Sequence, residues 1–233
     1  MGEEHVSRAS RGGDVSTEHR ESSYVPPLRF RSLTGLYDTT VRATTREARW
    51  RPELVAQANV RAGQRALDLG CGTGTLTILL NRAAPDAEVL GLDADVAALR
   101  IAREKAERAG LHIEFHQALI DEASFEPASF DRVVSSLVFH HLAPPAKRRA
   151  LARAREWLRA GGELHLADWG RAGNVWHRVA FLGVQILDGF ENTRDHVRSG
   201  LEPFLREAGF AEVEETRRQA TPLGVISLYR ARR

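Results

Sequence analysis

Cysteine is almost missing from this 233-residue chain: Cys71 is the only one, which excludes a disulfide framework and a thiolate metal site. Lysine is nearly as scarce, with only Lys105 and Lys147 among 33 basic residues, and 31 acidic residues bring the net charge down to +2. No basic face or stripe of the kind that tracks a phosphate backbone is present, so no nucleic-acid partner is expected. Long hydrophobic runs are absent as well: no stretch approaches the roughly 20 apolar residues of a membrane span, and the first residues are polar. A cytoplasmic enzyme without a metal is the expectation, and the length suits one large α/β domain better than two small ones.

What is present centres on Arg65 to Thr77. Ala66 to Leu69 reads as a short buried strand that runs into glycines at 70, 72 and 74 and then into an apolar helix from Thr75. Three glycines in five residues let the backbone approach a ligand where a helix N-terminus offers unpaired N–H groups. A second apolar strand, Glu88 to Asp93, ends in a carboxylate. Together the two strand ends describe a nucleoside-cofactor site, with Asp93 placed to accept hydrogen bonds from ribose hydroxyls.

The spacing discriminates between cofactors. A dinucleotide fingerprint reads G-x-G-x-x-G, whereas Gly70, Gly72 and Gly74 give G-x-G-x-G. Asp68-Leu-Gly-Cys-Gly-Thr-Gly74 resembles the first motif of the class I S-adenosylmethionine-dependent methyltransferases, and Gly91-Leu-Asp93-Ala94-Asp95 resembles their second. The resemblance implies S-adenosylmethionine as cofactor, held by Asp68, Gly70, Cys71, Gly72, Gly74, Asp93 and Ala94. Where the family often carries Gly-Asp-Ala to read the adenine amino group, this chain has Ala118 and Leu119; Leu119 has no side-chain acceptor, so backbone groups of Ala118 and Leu119, or the nearby Asp121, are left for adenine.

Further along, Phe130 to Ser136 reads as strand four, followed by Leu137-Val-Phe-His-His141. This resembles the family's fourth motif, whose strand end, here Ser135, lines the methionine part of the cofactor and whose next loop, with His140, faces substrate. On a helix two adjacent histidines would point about 100° apart, so His140 and His141 are not expected to share one ligand. Strand five, Glu163 to Asp168, ends in another carboxylate on the ligand side. If the methyl acceptor needs a base, His141 and Asp168 are the candidates, although a lone histidine here is more often packing or a satisfied hydrogen-bond donor than a base.

The remaining segments complete an α/β reading. Asp95 is placed to cap a helix closed by Gly110, Pro144-Pro145 open one that Gly161-Gly162 close, and Asn174 to Leu187 and Asp195 to Ala208 form two more. Strands from Gly209 and over Gly224 to Tyr229 make a terminal antiparallel pair. The expected fold is thus a Rossmann-like, mostly parallel seven-stranded sheet with helices on both faces. Residues 1–23 read as a disordered tail and 24–233 as one domain, in which 24–62 resembles the family's N-terminal lid or reads simply as helix covering a sheet edge, and Tyr37, an aromatic with a polar tip, suits the substrate side of a half-apolar, half-wet site. The pattern is most similar to the small-molecule branch that includes ubiquinone and menaquinone biosynthesis methyltransferases, with a small-molecule acceptor. A cofactor-binding regulator without turnover and an NAD-dependent oxidoreductase remain as alternatives.

Overall fold

In chain order the elements are α1 (Glu47–Ala58), β1 (Arg65–Leu69), α2 (Thr75–Ala83), β2 (Glu88–Asp93), α3 (Val96–Arg108), β3 (Glu114–Gln117), β4 (Phe130–Ser136), a 3₁₀ turn (Phe139–His141), α4 (Pro144–Trp157), β5 (Leu158–Trp169), α5 (Glu202–Glu207), β6 (Ala211–Thr221) and β7 (Gly224–Arg232). They come from a computed structural model that describes residues 47–171 and 200–233. The expected tail over 1–23, residues 24–46 of the expected lid, Tyr37, and the helix expected from Asn174 to Leu187 with the start of the next lie outside the described residues.

All seven strands share one sheet, in the order β3-β2-β1-β4-β5-β7-β6. The first five in that order are parallel, and β7 runs antiparallel to both β5 and β6. The chain therefore winds outward from β1 to β3 and returns to start again at β4 on the other side of β1. This leaves a switch point between the carboxyl ends of β1 and β4, the place where ligands collect in open α/β sheets. The terminal hairpin is inserted with its second strand inward. The reason is visible in composition: β7 is buried along nearly its whole length, whereas β6 (AEVEETRRQAT) exposes charged residues as an edge strand should.

Helices cover both faces. On one face Trp50, Leu54 and Ala58 of α1 recur every fourth residue and are wholly buried against Ala66, Leu76, Leu80, Val134 and Ala167. On the other, Leu151, Ala154 and Trp157 of α4 join Leu67, Leu69, Leu90, Leu92, Val133 and Leu164. Each large apolar side chain so enclosed contributes about 1.5–3 kcal/mol relative to exposure. One junction differs from expectation. Helix α4 stops at Trp157 and β5 begins at once with Leu158, paired to Phe130, so Gly161 and Gly162 do not end the helix. They lie where the β4–β5 register shifts between Phe130 and Arg132, a bulge in which Gly161 takes φ 74°.

Helix α1 is fastened to the sheet by polar groups too. Gln57 donates to Tyr229 O (3.0 Å) and toward His165 Nδ1 (3.2 Å) and accepts from the Thr216 hydroxyl. With Nδ1 as acceptor, the proton of this wholly buried imidazole sits on Nε2, which faces Glu163 Oε2 at 3.5 Å. Burial holds the His165 pKa down to about 4. A folded-state value below the unfolded one, near 6.5, means that stability is complete above pH about 6.5 and is lost as the pH falls toward 4. Urea denaturation over a pH series is expected to show this decline in the wild type and a flatter curve in His165→Gln; parallel curves would contradict it.

Candidate active site

The turn after β1 is set by its glycines. Gly70, Gly72 and Gly74 adopt φ 71°, 52° and 74°, the left-handed region in which a side chain costs about 1–2 kcal/mol. Two stand out. A Cβ on Gly70 would lie 2.4 Å from Val138 Cγ2, so the turn after β1 touches the segment after β4 across the switch point. A Cβ on Gly72 would meet nothing within 4 Å, so this glycine borders open space. The turn is stapled to the end of β2, where Leu92 O accepts from Gly70 N (2.8 Å) and Cys71 N (2.9 Å). Cys71 is buried beside Leu99, Ala102 and Phe115, and burial pushes its thiol pKa well up, so it packs as an apolar residue.

Two carboxylates flank the turn in different ways. Asp93 Oδ2 accepts from Gly72 N at 2.7 Å and its Oδ1 from Asp95 N at 2.8 Å. Each oxygen keeps a second lone pair, so the partly buried carboxylate remains able to accept from hydroxyls. Burial raises its pKa, and the bonds from Asp95 and Gly72 oppose the rise. Asp95 itself caps α3, accepting from Ala97 N (2.8 Å) and Ala98 N (3.4 Å), and Ala94 lies half-buried between the two acids. Asp68, 1% exposed, accepts from the Thr77 hydroxyl at 2.7 Å on Oδ2, while Oδ1 is buried without a hydrogen-bond partner. Burial pushes its pKa up to about 7, against the opposing effects of Thr77 and of the Arg51 charge.

The ends of β4 and β5 form the opposite wall. Ser135 is buried and donates to Leu69 O at 2.6 Å, tying β4 to β1. Leu137, with φ 57°, turns the chain sharply at the strand end. Asp168 then gathers the next segment: its Oδ2 accepts from Phe139 N (2.8 Å), and its Oδ1 accepts from Trp169 N (2.7 Å) and lies 2.8 Å from His140 Nδ1. His140 and Asp168 are 4% and 1% exposed, a buried pair. The half-buried His141 ring stacks on His140 with centroids 3.9 Å apart and a 41° tilt. The two rings meet although they sit on a 3₁₀ turn, which sets adjacent side chains about 120° apart; the ring of His140 is fixed by Asp168 and that of His141 folds onto it.

At the far side of β2, Ala118 N donates to Asp93 O (3.1 Å), and Leu119 O accepts from Glu122 N (3.1 Å) and Ala123 N (2.9 Å). Asp121 is ion-paired with Arg149 at 2.9 Å. Sequence reasoning missed Thr77, whose hydroxyl fixes one Asp68 oxygen; its place two positions into the helix after the glycines was the available clue. It also missed Lys105, which reaches from α3 to donate to Thr73 Oγ1 (2.8 Å) and Thr75 Oγ1 (3.5 Å); its rarity was the clue there. Among the described residues no group of three or more His, Cys, Asp or Glu side chains is placed to hold a metal ion, and no helix is long and apolar enough to cross a membrane.

These residues fit S-adenosylmethionine. The cofactor carries a ribose diol, an α-ammonium group and a carboxylate, and the site offers a half-buried carboxylate at a strand end, a buried unpaired carboxylate oxygen at Asp68, and a glycine turn open at Gly72.

Comparison with known proteins agrees. A methyltransferase domain model matches residues 66–162. Demethylmenaquinone methyltransferase of Thermus thermophilus is 37% identical over 123 residues, which cover 53% of this chain and 55% of that one. An uncharacterised methyltransferase of Synechocystis is 31% identical over 159 residues, covering 67% of this chain and 71% of that one. The structure of the S-adenosylmethionine-dependent methyltransferase SibL superposes with a TM-score of 0.67 at 25% identity, covering 88% of this chain and 60% of that one. The matched part spans between 37% and 55% of the length of four of the curated relatives. With the motifs, the sheet order and most of the Synechocystis protein's length in common, the chain belongs to the class I S-adenosylmethionine-dependent methyltransferases, with S-adenosylmethionine as their cofactor.

Proposed function

We propose that the chain transfers a methyl group from S-adenosylmethionine to a small-molecule acceptor by in-line displacement. The observation that carries this reading is the switch-point arrangement: the glycine turn with Asp68 and Asp93 on one side and the His140–Asp168 pair on the other, brought together by contact between Gly70 and Val138. Relatives named for ubiquinone and menaquinone biosynthesis support an acceptor of quinone or phenol type. The near balance of charge supports an acceptor other than nucleic acid.

In this reading Asp93 takes the ribose hydroxyls, Asp68 Oδ1 the ammonium, and backbone groups of Ala118 and Leu119 the adenine end. Gly70, Cys71, Gly72, Gly74 and Ala94 supply the close backbone surface. Ser135 acts by keeping the ends of β1 and β4 in register. When bound, the cofactor supplies a methyl group on a sulfonium whose positive charge is neutralised during transfer. The protein is therefore asked mainly to position the acceptor and exclude water, effects worth up to roughly 7–11 kcal/mol in ideal cases. An acidic O–H or C–H acceptor also needs a base. His141 is that base, with His140 on the substrate side, and Asp168 acts as a positioning residue by holding His140, and through it the His141 ring, in place.

Two outcomes are expected. Incubation with S-adenosylmethionine and a panel of phenolic and quinol acceptors produces S-adenosylhomocysteine together with a product one methylene heavier; His141→Ala lowers kcat by roughly 10²-fold or more while the KM for the cofactor holds, and Asp168→Asn shifts the pH profile of kcat. No turnover with any acceptor class would favour a binding protein without catalysis. Separately, because the Asp68 pKa stands at about 7 in the ligand-free protein, placing an ammonium against it releases a proton. Affinity for S-adenosylhomocysteine should rise with pH by up to roughly tenfold per unit below pH 7 and level off above it, and calorimetry on Asp68→Asn should give weaker, pH-independent binding.

A further inference from the structure

The glycine turn is held from two sides, of which β2 is only one. On the other lies α3. A Cβ on Gly74 would stand 2.8 Å from Ala102 Cβ, 3.2 Å from Ala102 Cα and 3.3 Å from the Phe115 ring, so Gly74 takes its φ of 74° in direct contact with that helix. Lys105 follows Ala102 by three residues and projects from the same side of α3. Its Nζ donates to Thr73 Oγ1 at 2.8 Å and reaches Thr75 Oγ1 at 3.5 Å. The two threonines flank Gly74, so the ammonium spans the residue at which the turn passes into α2.

This contact differs from a surface lysine laid along its own helix. Thr73, Thr75 and Lys105 are all half-buried. Lysine is rare in a chain that otherwise uses arginine, and here a tetrahedral ammonium turns two of its N–H groups to two hydroxyl oxygens, a geometry that a planar guanidinium does not match. Thr75 is the first residue of α2, whose first turn has no acidic residue, so the cation also faces the positive end of a helix dipole. The two hydroxyls offset that adverse contact. Between them and β2 the turn has little slack: Gly72 N donates to Asp93 Oδ2 at 2.7 Å, and Gly74 N to Cys71 O at 2.9 Å. Residues 71–75 are thus fixed by Asp93 at one end and by Lys105 at the other.

We propose that Lys105 is a positioning residue for the cofactor: by clasping Thr73 and Thr75 it holds the glycine turn in the shape on which the nucleoside lies, without touching the ligand. This rests on the cofactor reading above and adds to it a residue of α3. Glycine loses more conformational freedom on ordering than any other residue, and without the clasp the cost of ordering this turn falls on the binding step.

The test is calorimetric titration of the full chain with S-adenosylhomocysteine and with 5′-methylthioadenosine, which shares the nucleoside but lacks the amino-acid portion. Lys105→Met should weaken both ligands by the same factor, roughly three- to tenfold, the size of one net hydrogen bond. Lys105→Arg keeps the charge without the convergent N–H groups and should fall between Lys105→Met and the wild type. Thr73→Val should lose most of the same factor, and the double variant no more than Lys105→Met alone, because one contact is removed either way. In the ligand-free protein, exchange of the Gly72 and Gly74 amide hydrogens should quicken in Lys105→Met while the amides of β1, β4 and β5 keep their wild-type rates; a general loss of stability would move the strand amides as well. Unchanged affinity in Lys105→Met, additive losses in the double variant, or a loss confined to S-adenosylhomocysteine would overturn the role of Lys105 alone. Should Lys105→Met not fold, Thr73→Val decides by the same comparison of ligands. A wild type that binds neither ligand would overturn the cofactor reading and this role with it.

Discussion

The hydrogen bond from Gly72 N to Asp93 Oδ2 is the contact on which the site depends, because it couples the loop after β1 to the last residue of β2. It works only if Gly72 holds a left-handed φ that aims its N–H at the carboxylate, and only if β1 and β2 are in the register that sets Asp68 opposite Gly91. Two further bonds to Leu92 O fasten the same turn. Once it is fixed, α2 starts at Thr75, Thr77 reaches Asp68, and Gly70 meets Val138 beyond β4. A local demand of the backbone thus propagates to both walls of the switch point.

Polar groups at this end of the sheet fall into two kinds. Ser135 and Asp168 are used up inside the protein, the first on Leu69 O and the second on two backbone N–H groups and His140. They set geometry. Asp68 Oδ1 is buried and unmet, a costly state that a ligand of matching charge relieves. Burial makes the distinction matter, since the same atoms exposed to water would carry neither cost nor specificity.

Much of this was legible in the residues. Strands Glu88–Asp93 and Phe130–Ser136 coincide with their expected bounds, the first as an apolar run closed by a carboxylate and the second around Val133 and Val134, and Asp95 caps α3 as its position suggested. The junction at Trp157 and Leu158 was not legible, since Gly161-Gly162 look like a helix stop and only pairing with β4 reveals the bulge. The inward position of β7 was encoded in its apolar first two thirds, Gly224 to Tyr229 with a single serine, beside the charged β6, but it takes the sheet to turn that contrast into an order. The His140–Asp168 pair joins residues 28 apart through the register of β4 on β5, and tertiary register is something no local pattern carries.

The most direct measurement is a crystal structure of the chain with S-adenosylhomocysteine bound. The account requires the ribose hydroxyls within hydrogen-bond distance of Asp93, the nucleoside over the glycine turn at Gly70 to Gly74, and the sulfur facing the His140–His141 turn. Ligand density away from the carboxyl ends of β1 and β4, or a ribose with no contact to Asp93, would contradict it.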